Sequence, residues 1–227
     1  MEQSESCRKI FAGIRRPRKR PFLYYKKCVK QVTNATIPCL DRLGETCRDR
    51  KLVATKVVRL TMNVVEELLK VLPDLKVVHY IRDPRAVAIS RMKHRSFRGL
   101  YARGDIVRIA KLYCDDVFND LVIRKRLQKQ YPDTFLEVYF EELAMFPSLI
   151  AFRIYDFLGV EMPKEVYSWI TENTQSNNTK QRTSRDSQSI VHAWKSKLKD
   201  TELKAINRVC QDMIKEAHME WPDTAIL

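Results

Sequence analysis

A chain of 227 residues, 44% hydrophobic, is long enough for one domain with a real core, or one domain with a tail. Its 42 Lys and Arg against 28 Asp and Glu leave a formal charge of +14, a surface that attracts polyanions such as nucleic acid, acidic glycans or acidic membrane. No apolar run approaches the ~18 residues needed to cross a bilayer, Met1 to Ile10 lacks a signal-peptide pattern, and Cys7, Cys28, Cys39, Cys47, Cys114 and Cys210 show no zinc-ligand spacing, so no metal site is expected.

Residues 1–50 read as a basic, poorly ordered segment and residues 51–220 as the folded domain. The cluster Arg15-Arg16-Pro17-Arg18-Lys19-Arg20 suits nucleic acid, nuclear import or an acidic glycan, or is a solvated tail. Pro38 and Gly44 break the stretch that follows, where Cys39 and Cys47 are near enough in sequence to pair. Leu52 to Leu60 is expected as a strand interrupted by Lys56 and Arg59. Asn63 to Leu72 is expected as a helix capped by Asn63, with Val64, Val65, Leu68, Leu69 and Leu72 inward. Leu75 to Ile81 is a short β-branched run of the kind that forms a parallel strand covered on both faces. Asp83 is then a good N-cap and Pro84 suits the first helical position. Arg82 falls at the carboxyl end of the strand, where open α/β sheets bind ligands. With Arg85 it flanks a helix N-terminus, a ready anion site, and Ser90 stands about two turns into that helix. A salt-bridged turn without a ligand is the plain alternative.

Lys93 to Gly104 is a basic loop. Asp105 to Gln130 carries helical periodicity through Ile106, Ile109, Ala110, Tyr113, Cys114, Val117 and Leu121, with Asp115, Asp116 and Asp120 on its polar face. Phe135 to Phe140 is a second strand. Pro147 to Gly159 and Pro163 to Ile170 are expected as helices, the latter with Trp169 inward, and Thr171 to Ser189 as a loop. Asp200 to Ala217 closes the domain as one amphipathic helix. Strands alternating with helices predict an α/β fold with a parallel sheet and crossover helices.

Arg82-Asp83-Pro84-Arg85-Ala86-Val87, with Ser90 and Arg91 following, resembles the 3′-phosphate-binding segment of sulfotransferases, which use 3′-phosphoadenylyl sulfate (PAPS). The form is similar to that of the Golgi carbohydrate 6-O-sulfotransferases acting on galactose, N-acetylglucosamine or N-acetylgalactosamine, and the resemblance runs from about Cys39 to Cys210. It implies a P-loop NTPase-like sulfotransferase fold, PAPS as sulfuryl donor, a glycan, glycoprotein or proteoglycan acceptor and a Golgi lumenal location. The sequons at Asn34 and Asn177 fit such a lumen. Arg82, Arg85 and Ser90 become nucleotide-binding candidates. Thr183-Ser184-Arg185-Asp186-Ser187 is similar to the family's T-x-R-N-S, which adds Arg185, and Trp194-Lys195 to its W-R. Val138-Tyr139-Phe140-Glu141-Glu142-Leu143 is similar to its V-R-Y-E-D-L, with Tyr139 where Arg is usual. Cys114 and Cys210 stand where relatives carry cysteines, so the resemblance implies that they pair. Lys56 and Arg59 match a K-x-x-R strand.

The family's Gly- and Ser/Thr-containing loop for the 5′-phosphosulfate is not found ahead of Leu52, and the domain reads as lacking its first strand and that loop. An incomplete chain, a degenerate inactive relative and a replacement by another segment all account for this; the first is the expectation. The reaction implied is attack of a sugar 6-hydroxyl on the donor sulfur with a general base, for which Glu141 is the candidate. The alternative function is a non-catalytic basic protein that binds sulfated glycans or other polyanions. No specific nucleic-acid partner is expected, since RNP, zinc and helix-turn-helix patterns are absent.

Overall fold

The structure is a computed structural model that describes residues 52–58, 60–93, 105–174 and 186–219. Two compact units divide the chain, Met1–Val58 and Arg59–Leu227. Of the first, the described residues 52–58 carry no strand, and Leu52, Val53, Val57 and Val58 are exposed. The strand expected over Leu52 to Leu60 is therefore absent from its described residues. A strand needs a paired edge and a buried face, and this stretch has neither. The missing first strand and loop, the pairing of Cys39 with Cys47, and Arg59 lie outside the described residues.

The second unit begins with α1 (Met62–Val71), followed by β1 (Val77–Ile81), α2 (Pro84–Lys93), α3 (Ile106–Gln130), β2 (Phe135–Tyr139), α4 (Phe140–Met145), α5 (Pro147–Phe157) and α6 (Lys164–Thr174). After these come α7 (Ser187–Val191), a 3₁₀ turn at Lys195–Lys197, α8 (Asp200–Val209) and α9 (Gln211–Glu216). Among the described residues the sheet has two strands, β1 and β2, paired in parallel with Val77 opposite Phe135 and Ile81 opposite Tyr139. The helices between them make the crossover that the β-α-β succession predicts.

Helix α3 is the spine. Asp105 caps it, accepting from the N–H groups of Val107 and Arg108, and Ile106, Ile109, Ala110, Cys114, Val117 and Leu121 form a buried stripe. That stripe packs against Ile81 of β1, Ala88 of α2, and Ile206, Cys210 and Met213 of the carboxyl-terminal helices. A second cluster joins Leu127 and Phe135 to Met62, Val65 and Leu69 of α1. Cys114 and Cys210 form a disulfide, as the resemblance implies.

Several expectations are corrected in detail. Helix α1 starts one residue before Asn63, and Thr61 occupies the cap position without a side-chain bond. The Met62 N–H instead reaches the Asp120 carboxylate of α3 at 2.7 Å, so a distant residue does the capping. Val64 and Leu72 are exposed, and Met62 joins the inward face. Strand β1 is covered on one face only: Val78 and Tyr80 are exposed, while Ile81 is fully buried. Trp169 points outward because α6 buries Ile170 and Asn173, and adjacent helical residues stand about 100° apart. Helix α6 continues to Thr174 and α7 begins at Ser187, both inside the expected loop. The closing helix is two helices, with the break at Cys210, where the disulfide joins. Gly159 ends the α5 region in a left-handed conformation, φ 65°.

Candidate functional site at the carboxyl end of β1

Strand β1 runs straight into the Arg82-Asp83-Pro84 turn, and α2 begins at Pro84. The Asp83 side chain accepts the Arg85 N–H at 2.8 Å and its carbonyl accepts the Val87 N–H at 3.0 Å, so it is the N-cap that its residue type suggests. Asp83 and Arg85 are only 1% and 3% exposed. The Arg85 guanidinium grips the carboxylate with two edges, Nε to Oδ1 at 3.0 Å and Nη2 to Oδ2 at 3.1 Å. Its face lies 3.9 Å from the centroid of the buried Trp194 ring. The helix N-terminus expected to receive an anion is thus already served by Asp83, and Arg85 neutralises that carboxylate. Arg85 is turned into the core, not toward a ligand.

Arg82 is placed differently. It is part-buried, its guanidinium carbon sits 4.1 Å from the centroid of the Phe140 ring, and its Nε has no hydrogen-bond partner. No carboxylate lies within ion-pair distance of it among the described residues. Ser90 is exposed on α2, and its neighbour Arg91 stands 5.0 Å from the ring centroid of Tyr113. Arg185 lies outside the described residues, as does the basic stretch 94–104.

Glu141 sits near this junction. Its Oε1 accepts the Asp83 N–H at 3.0 Å, and its Oε2 is buried without a partner. Burial, more than the neighbouring Asp83 charge, raises its pKa. Glu141 therefore holds the turn with one oxygen and keeps the other buried beside it. Tyr113, which the sequence marks only as part of a buried stripe, proves to be a member of the site. Its hydroxyl accepts the Arg82 N–H at 3.1 Å and donates to the Arg82 carbonyl at 2.9 Å.

Behind the site lies a polar layer. Glu137, opposite His79 in the sheet register, pairs with Arg124 of α3 and accepts from the Tyr139 hydroxyl at 2.7 Å. Tyr139 also reaches the Ala217 carbonyl at 2.8 Å, so the residue that replaces the usual arginine ties β2 to the end of α9. Burial pushes His79 down to about 4, with its Nδ1 unpartnered. No group of three or more potential metal ligands occurs among the described residues, and no described helix is long and apolar enough to cross a membrane.

Two parallel strands joined by a helical crossover, the first running straight into a capped helix start, define an α/β fold. The family model described as the sulfotransferase family matches residues 15–164, and the chain belongs to that family. It is similar to carbohydrate sulfotransferase 1 of Danio rerio, 31% identical over 209 residues, covering 83% of this chain and 48% of that protein. It is similar to carbohydrate sulfotransferase 1 of Homo sapiens, 28% identical over 190 residues, covering 75% and 46%. Carbohydrate sulfotransferase 3 of Tetronarce californica is 28% identical over 188 residues, covering 75% and 42%. The chain spans about half the length of the curated relatives it matches. Among solved structures it resembles the sulfotransferase domain from the curacin biosynthetic pathway, with a TM-score of 0.56 and 18% identity, covering 83% of this chain and 69% of that one. At that identity the likeness speaks for the fold, which is the α/β sulfotransferase fold that the RDPRAV segment implies.

Proposed function

We propose that this chain carries the nucleotide 3′-phosphate half of a carbohydrate sulfotransferase that transfers a sulfuryl group from PAPS to the 6-hydroxyl of N-acetylglucosamine, galactose or N-acetylgalactosamine in a glycan. The observation that carries the reading is Arg82. Its backbone is held at the carboxyl end of β1, its part-buried side chain has no carboxylate partner among the described residues, and its buried Nε has no protein partner. Such a cation fits a phosphate oxygen, and membership of the sulfotransferase family supports the 3′-phosphate of PAPS as that group. Ser90 and Arg185 complete the candidate set, while Arg85 and Glu141 act by positioning the turn.

The chemistry follows from the groups involved. The sugar oxygen attacks the donor sulfur in line. The new S–O bond forms as the bond from sulfur to the bridging phosphate oxygen breaks, and 3′,5′-ADP leaves with the negative charge. The hydroxyl proton passes to a general base, for which Glu141, with one unpartnered oxygen, is the candidate. By analogy with phosphoryl transfer, positioning and cations on the leaving phosphate carry most of the acceleration. The Golgi lumen is the matching compartment. The buried Cys114–Cys210 disulfide supports it, because disulfides persist in oxidising compartments.

Thermal melting with and without 3′,5′-ADP tests the reading. The nucleotide is expected to raise the melting temperature of the wild-type chain and to leave Arg82→Ala unmoved. A cooperative melt indifferent to 3′,5′-ADP, with heparin binding that survives Arg82→Ala and collapses with salt, would replace this reading by a polyanion-binding protein, which the charge of +14 favours.

A further inference from the structure

Side chains, not backbone, continue the sheet beyond its last residue pair. Ile81 and Tyr139 close the register. The next residue on β1, Arg82, has both its N–H and its C=O satisfied by the Tyr113 hydroxyl, at 3.1 and 2.9 Å. The residue after that, Asp83, gives its N–H to Glu141, two positions past the end of β2. One phenol therefore holds the backbone of Arg82 on both sides of its Cα, and so sets the direction in which its side chain leaves the chain. Phe140, the first residue of α4, supplies the platform on which the guanidinium then rests.

Tyr113 is itself firmly held. It sits on the buried side of α3, next to Cys114, whose disulfide reaches Cys210. Arg91 lies over its ring. Burial pushes its phenol up to about 12, so it keeps the proton it donates. Among the described residues the charged groups that face it are Arg91, Glu141 and Arg82.

We propose that Tyr113 is a positioning residue for nucleotide recognition: by clamping the peptide groups of Arg82 it aims that guanidinium at the 3′-phosphate of a 3′-phosphorylated adenine nucleotide. The inference rests on the assignment of Arg82 above. A long, flexible arginine loses side-chain entropy when it grips a phosphate, and fixing its Cα beforehand lowers that cost. The clamp therefore shows in affinity for the 3′-phosphate, and specifically there.

The test uses the 227-residue chain and two probes, 3′,5′-ADP and 5′-AMP, which lacks the 3′-phosphate. Calorimetric titration of wild type, Tyr113→Phe, Arg82→Ala and the double variant is read as fold-change. Tyr113→Phe is expected to weaken 3′,5′-ADP about fivefold to tenfold, as loss of one or two neutral hydrogen bonds would, and to leave 5′-AMP unchanged. In the Arg82→Ala background it is expected to do nothing further. Equal weakening of both nucleotides, or an undiminished effect without Arg82, would show a merely structural tyrosine and overturn the proposal. Wild-type affinity in Tyr113→Phe would overturn it as well. If the wild type does not prefer 3′,5′-ADP over 5′-AMP, or keeps its preference in Arg82→Ala, the assignment of Arg82 fails first and takes this inference with it. Amide hydrogen exchange at Arg82 is a readout independent of ligand. Protection is expected to fall tenfold or more in Tyr113→Phe and to persist in Arg82→Ala; unchanged protection in Tyr113→Phe counts against the clamp.

Discussion

The guanidinium of Arg85 is sandwiched between the carboxylate of Asp83, at 3.0 and 3.1 Å, and the face of the Trp194 ring, 3.9 Å from its centroid. Two segments far apart in sequence, RDPRAV and the Trp194-Lys195 pair, therefore meet in one buried contact. Its consequence concerns stability. Removing Arg85 leaves the Asp83 carboxylate buried and uncompensated, a loss worth about 3–5 kcal/mol. Arg85→Ala is expected to shift the urea midpoint accordingly, and Arg85→Lys to recover only part of it, because an ammonium lacks the two-edged grip and the flat face. A loss below about 1 kcal/mol, the range of exposed ion pairs, would show that the pair is not shut away from water.

The disulfide makes a second prediction. It closes a loop between residues separated by 96 positions, for which chain entropy alone suggests about 4–5 kcal/mol, with measured removals costing about 2–5 kcal/mol. Both sulfurs belong to the main core, so the double variant Cys114→Ala/Cys210→Ala also leaves a small void. It is expected to melt well below the wild type under oxidising conditions. Equal melting temperatures would mean that the bridge contributes nothing to the fold.

His79 predicts an acid weakness. In the folded chain burial holds it down to about 4 against an ordinary 6.5, with Glu137 pulling the other way and Arg124 adding to the depression. Its folded value lies below its unfolded one, so its contribution is complete above pH 6.5 and is lost as pH falls toward 4. The shift corresponds to about 3 kcal/mol at most. Asp120 and Glu141 act in the opposite sense: burial raises both, so their contribution is present at low pH and is lost as pH rises through their folded values. His79→Asn is expected to flatten the stability profile between pH 6.5 and 4.5 relative to wild type, measured by urea denaturation at several pH values. Parallel profiles would remove His79 as the cause.

The strength of the sequence as a guide differs by residue, for physical reasons. Helix α3 is legible because 25 residues of 3.6-residue periodicity leave little room for another reading. The turn at Asp83-Pro84 is legible because cap chemistry is local. What Arg85 does is not local: its partner ring comes from Trp194, and no spacing rule links the two. Tyr113 was visible only as a stripe residue, since a hydroxyl at the rim of an apolar stripe looks like packing until the strand end beside it is known. The cap of α1 misleads for a similar reason, Asp120 being supplied from another helix. The strand expected at Leu52 to Leu60 fails because a β-branched run makes a strand only where an edge and a covered face await it.

Tyr139 gives the last prediction. At this position the family pattern has arginine, which suggests a contact with an anion. Here the side chain lies on the same face of β2 as Phe135 and Glu137 and packs against the core around α3. Its hydroxyl bonds Glu137 and the Ala217 carbonyl, and burial, reinforced by Glu137, raises its pKa so that it stays protonated. That arrangement makes Tyr139 a tie between β2 and the end of α9. Tyr139→Phe removes the one phenolic proton that the Glu137 carboxylate and the Ala217 carbonyl share, a cost of about 1–3 kcal/mol. The urea midpoint is expected to fall by that amount while affinity for 3′,5′-ADP stays within about twofold of wild type. A variant that keeps its stability and loses nucleotide affinity would place Tyr139 in the binding site and reverse this assignment.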